Sequence, residues 1–99
     1  MTITELRAQI DQLDYQLIEI LSQRFAITHQ IGQLKATQQL APRATEREAE
    51  QFARYQALAE NFDVPPSLIH GIFHAIIDQV VEHHQQLRSP GDTACKPPR

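Results

Sequence analysis

Ninety-nine residues, 41% of them apolar and 21% charged, make one globular domain at most, and a core this small gains considerably from burial through self-association. A net charge of −3 supplies no broad basic field, which argues against a nucleic-acid partner. Cys95 is the single cysteine, so an internal disulfide and a thiolate zinc centre are excluded. No apolar run approaches the roughly 20 residues of a membrane span and MTITELRAQID has no signal-peptide pattern, so a cytoplasmic protein with no membrane partner is expected.

Ile3, Leu6, Ile10, Leu13, Leu17, Ile20, Ile27, Ile31 and Leu34 follow the alternating three-and-four spacing of a heptad seam. They predict one amphipathic helix from about residue 3 to about residue 38, opened by a Thr2–Glu5 capping box and weakened, not ended, by Gly32. Pro42 marks a loop. A second helix over about 45–61 follows, capped by Thr45, with Glu46 and Glu48 in its first turn. Its thin apolar side is carried by Ala49, Phe52, Ala53, Leu58 and Ala59, with Tyr55 at the margin. A third helix starts at Pro66 or Ser67 and carries Ile69, Ile72, Phe73, Ile76, Ile77, Val80 and Val81 down to Leu87. The predicted fold class is therefore all-α, three helices in one domain over 1–88, followed by a disordered tail over 89–99.

A helix of about 36 residues is roughly 54 Å long, more than the diameter of a compact chain of this size. Two short helices cover only part of it. The expected assembly is an intertwined homodimer in which the long helices of two subunits pack together; a monomeric three-helix bundle with a frayed helix is the alternative.

The seam contains one anomaly, Arg24, at the heptad position between Ile20 and Ile27 where an apolar residue is due. A core-facing guanidinium needs an anion, either an internal carboxylate or a ligand entering a pocket. Lys35, three helical turns later, lies on nearly the same face, although a lysine near a helix C-terminus is also commonplace. Arg7 is seventeen residues from Arg24, about 25 Å along the helix, so the two meet at one small ligand only across an antiparallel dimer; otherwise Arg7 is a surface arginine. His84 stands one turn after Val80 on the apolar face of the third helix and requires a polar partner. His70 and His74 have the spacing of a metal pair, but no motif places a third ligand, and no metal is expected.

LRAQIDQLDYQLIEILSQR, then IGQLK, then ERE with its Arg47 twelve residues after Lys35, then IFHAIID resembles the AroQ-type chorismate mutases over residues 6 to about 88. The resemblance implies an all-helical homodimer with two shared active sites. It implies that Arg24 and Lys35 of one subunit and Arg7 of the other bind the two carboxylates of chorismate, with Lys35 also reaching the ether oxygen. Arg47 belongs to the same cationic wall, Glu48 accepts a hydrogen bond from the substrate hydroxyl, and His84 replaces a Gln or Glu that donates to the ether oxygen. Val80 stands where a Ser often assists a carboxylate, and Ala44 where an Asp often contacts the hydroxyl region. The implied reaction is the isomerisation of chorismate to prephenate, in the shikimate pathway of aromatic amino acid biosynthesis. It is a pericyclic shift that needs no cofactor. Isochorismate pyruvate lyase, 4-amino-4-deoxychorismate mutase and a catalytically silent dimerisation or regulatory module are the competing readings on the same fold.

Overall fold

A computed structural model describes residues 1–88, which form α1 (Ile3–Thr37), α2 (Thr45–Asn61) and α3 (Pro66–Arg88), with no strand among the described residues. The expected tail over 89–99 lies outside them. α1 has 35 residues, about 52 Å at the helical rise, and accounts for most of the molecule's 56 Å longest dimension. It starts where extended Thr2 accepts from the Glu5 N–H at 3.1 Å, while the Thr2 hydroxyl reaches the Glu5 carboxylate at 3.1 Å. Past its C-terminus Gln39 takes a left-handed φ of 57°, and the chain turns into the Pro42 loop.

The expected cap of α2 is one residue out of place. Ala44 is the N-cap, giving only its carbonyl to the Glu48 N–H at 2.9 Å, and no side chain caps the helix. Thr45 is already the first helical residue, so its hydroxyl lies beside the free N–H groups instead of ahead of them. Glu46 and Glu48 remain to complement the N-terminal dipole.

The core is built on α3. Ile77 and Val81 bury against Tyr55 of α2, and Phe52, Ile69 and Phe73 pack around them. Tyr55 stacks on Phe73 with ring centroids 3.9 Å apart and 18° between planes, and Phe52 meets Tyr55 edge-on at 5.7 Å. Tyr55, marginal in the sequence pattern, is thus the centre of the α2 contact, while Ala49, Ala53 and Leu58 are exposed. The reason is geometric: Phe52, Tyr55 and Ala59 follow the three-and-four spacing of one helix face, and ring area there outweighs the scattered alanines.

α3 packs against both other helices, whereas α1 and α2 do not contact each other. The α1–α3 crossing is close because Gly32, the buried residue of α1, has no side chain to hold the helices apart. A Cβ there would lie 2.5 Å from the His84 Cδ2 and 2.8 Å from the Leu87 Cδ1. Along α1, Leu6, Ile10, Leu13, Leu17 and Ile20 remain 44 to 58% exposed, and Ile27, Ile31 and Leu34 43 to 59%, so the subunit leaves its apolar seam largely uncovered at both ends.

Candidate active site

Because α1 and α2 stand apart over α3, a cleft of about 840 Å³ opens between them, with α3 as its floor. α1 brings Arg24, Thr28, Ile31 and Lys35 to this cleft, α2 brings Arg47, Glu48 and Arg54, and α3 brings Phe73, Val80 and His84. Four basic side chains and one carboxylate line it, so a chain of net charge −3 concentrates positive charge in this hollow. Charges held in a concave wall of low dielectric attract an anion more strongly than the same charges scattered over a surface.

Arg24 enters the cleft from the seam of α1. Its Nη1 is buried with no hydrogen-bond partner, and no carboxylate pairs with the guanidinium among the described residues. Its one neighbour of note is the face of Phe73, 5.9 Å from the guanidinium carbon, which favours the cation without satisfying its N–H donors. Of the two options open to a seam arginine, the internal ion pair is absent among the described residues, and Arg24 lines the cleft without a carboxylate partner.

Lys35 donates from Nζ to the Pro42 carbonyl at 3.1 Å. Burial lowers the pKa of its amine, partly offset by the negative charge of Glu48. Glu48 accepts from Arg43 Nη1 at 2.5 Å and keeps its side chain mostly sheltered, at 16% exposure. His84 is 2% exposed. Its Nε2 lies 2.8 Å from the Thr28 carbonyl oxygen, which only accepts, so Nε2 carries the proton; Nδ1 is buried without a partner. With that tautomer fixed, a neutral His84 has an acceptor at Nδ1, and becomes a donor there only as imidazolium.

A family model for chorismate mutase type II matches residues 6–85, which span all three helices. The chain belongs to the chorismate mutase type II family. It is 33% identical over 75 residues to the T-protein of Enterobacter agglomerans, a match covering 76% of this chain and 20% of that protein, so the chain spans about a fifth of the relative's length.

Set in that family, Arg24, Lys35, Arg47, Glu48, Val80 and His84 are brought together around one cleft. Arg7 is not, being on the far half of α1. Ala44 also lines the cleft, so its methyl and the isopropyl group of Val80 leave two apolar stretches in the wall. Sequence reasoning missed Arg54, although its i+7 spacing from Arg47 was a readable sign of a shared face. It also missed Arg43, for which a loop position offers no periodic signal. His70 and His74 stack around Phe52, with centroids 4.6 and 5.3 Å from its ring, and no group of three or more metal-ligating side chains occurs among the described residues. No helix among those residues is long and apolar enough to cross a membrane.

Proposed function

We propose that this cleft binds chorismate and isomerises it to prephenate, a step of aromatic amino acid biosynthesis in the shikimate pathway. The observation that carries the reading is the buried, partnerless Nη1 of Arg24 in a cleft that also holds Lys35, Arg47 and Arg54. A buried guanidinium nitrogen without an acceptor costs stability, and a substrate carboxylate supplies what is missing. In the rearrangement the ether C–O bond breaks as a C–C bond forms, within one molecule, so no nucleophile, metal or redox group is called for. Arg24 and Arg47 orient the two carboxylates in the compact reactive conformer, and Glu48 accepts from the ring hydroxyl. Lys35 leaves the Pro42 carbonyl and donates to the ether oxygen, where negative charge grows in the transition state. His84, with Nε2 anchored on Thr28, has Nδ1 as its remaining nitrogen to act there.

The working unit in this reading is a homodimer. The uncovered seam from Leu6 to Ile20 supports it, since a row of half-exposed leucines and isoleucines at heptad spacing is the surface on which two long helices associate. An antiparallel companion carries its own Arg7 to the cleft and completes the carboxylate grip, giving two shared sites.

The test is incubation of the purified protein with chorismate, isochorismate and 4-amino-4-deoxychorismate, followed by chromatography of the products. Prephenate from chorismate alone is the expected result. Replacing Lys35 by Ala lowers turnover at least a hundredfold, because Lys35 acts on charge that exists only in the transition state. Binding of none of the three compounds would leave a silent dimerisation module, and pyruvate from isochorismate would leave the lyase.

A further inference from the structure

The residue that controls Glu48 is outside the cleft. Arg43, in the loop between α1 and α2, spreads its guanidinium over two carboxylates on different helices, with Nη1 on Glu48 Oε1 at 2.5 Å and Nη2 on Asp78 Oδ1 at 2.9 Å. Asp78 is steadied in turn by His74, whose Nδ1 lies 3.6 Å from the other Asp78 oxygen. The fork geometry is specific to arginine, since a single ammonium cannot hold two carboxylates in fixed directions. Arg43 itself is not among the residues lining the cleft, although Pro42, Ala44 and Glu48 are.

Glu48 has a second cation within electrostatic reach. Its charge acts on Lys35, yet the two form no ion pair, and Lys35 donates instead to Pro42, the residue next to Arg43. Without Arg43, nothing among the described contacts prevents the carboxylate from turning to the Lys35 ammonium, which would occupy the donor required at the ether oxygen.

We propose that Arg43 is a positioning residue that, braced by Asp78, holds the Glu48 carboxylate away from Lys35 and so leaves the Lys35 ammonium free to act on the substrate. The inference rests on the mutase reading for its catalytic consequence, but its structural content is independent of substrate. Oε1 is taken by Arg43 and Oε2 is left for the substrate hydroxyl. The bond to Arg43 also offsets the repulsion between Glu48 and a dianionic ligand. Replacement of Arg43 by Met lets Glu48 pair with Lys35, while the same replacement in a Glu48→Gln chain does not, because a neutral amide forms no ion pair with an ammonium.

Two measurements separate this role from a merely structural one. The chain has two lysines, Lys35 and Lys96, so the ε-amine of Lys35 can be followed by NMR titration after isotopic labelling, with Lys35→Gln assigning the signal. Arg43→Met raises the Lys35 pKa relative to wild type, whereas Arg43→Met added to Glu48→Gln leaves it where Glu48→Gln alone puts it. In steady-state kinetics Arg43→Met lowers kcat about tenfold with KM within threefold, Asp78→Asn does so more weakly, and Arg43→Met costs nothing further in the Glu48→Gln background. Identical Lys35 titrations in wild type and Arg43→Met overturn the proposal, as does an equal loss of kcat in both backgrounds. A shifted Lys35 titration in a protein that does not turn over chorismate upholds the positioning role and removes the mutase reading instead.

Discussion

Gly32→Ala tests the linkage between packing and chemistry most directly. In an exposed helix this change is stabilising by about 1 kcal/mol, because alanine restricts the unfolded chain and glycine does not. Here the new methyl would stand 2.5 Å from the His84 Cδ2 and 2.9 Å from its Nε2. The Leu87 methyl at 2.8 Å can rotate away; the His84 ring cannot do so cheaply, since it is buried and tied to the Thr28 carbonyl. Over-packing of this kind costs about 1–3 kcal/mol, and loss of the His84–Thr28 hydrogen bond adds about 0.5–1.5 kcal/mol. After the helix-propensity gain, a net destabilisation of roughly 1–3 kcal/mol is expected. Urea unfolding at fixed protein concentration reads it, because a dimer makes stability depend on concentration. Turnover falls in the same variant, as the His84 ring is displaced from its place in the cleft wall. A variant stabilised by about 1 kcal/mol with wild-type turnover would refute both the close crossing and the role given to His84.

Arg24→Met separates stability from binding. The side chain has no ion pair to abandon, only its contact with the Phe73 face, and its buried Nη1 is unsatisfied, so urea stability stays within about 1 kcal/mol of wild type or rises. Chorismate affinity, read by calorimetry, falls about 10- to 150-fold with the lost charge-assisted contact. Leu13→Asp with Leu17→Asp places charges on the half-exposed seam; sedimentation is expected to show a dimer for wild type and a monomer without mutase activity for the variant, and an active monomeric wild type would remove the shared-site arrangement. Acid sensitivity follows from His83, whose Nε2 lies 2.7 Å from His29 Nδ1 across the α1–α3 contact. Burial first, then the charges of His29 and His84, lower its pKa below the usual 6.5. A depressed histidine binds fewer protons folded than unfolded, so its contribution is complete above pH 6.5 and is lost as pH falls from there through the depressed value. His83→Gln should flatten the dependence of the urea midpoint on pH in that window, and an unchanged slope would show that the pair carries no such linkage.

The helices themselves were legible because their signals are local. The three-and-four spacing of α1, the Thr2–Glu5 start, Pro42 and Pro66 each act within a few residues of chain, and the observed ends at Thr37, Asn61 and Arg88 fall within one residue of those read from the sequence. The anomaly at Arg24 was legible for the same reason, as a break in a regular pattern. Its meaning was not, because a seam position specifies burial and leaves the partner open; that choice depended on which side chains α2 and α3 carry to the same space. The same holds for Tyr55 on Phe73 at the core and for Arg43 on Asp78, partners 18 and 35 residues distant in sequence. Periodicity along one helix states which face turns inward. Only the packing of α1 and α2 against α3 determined which of the inward groups meet each other and which face the cleft.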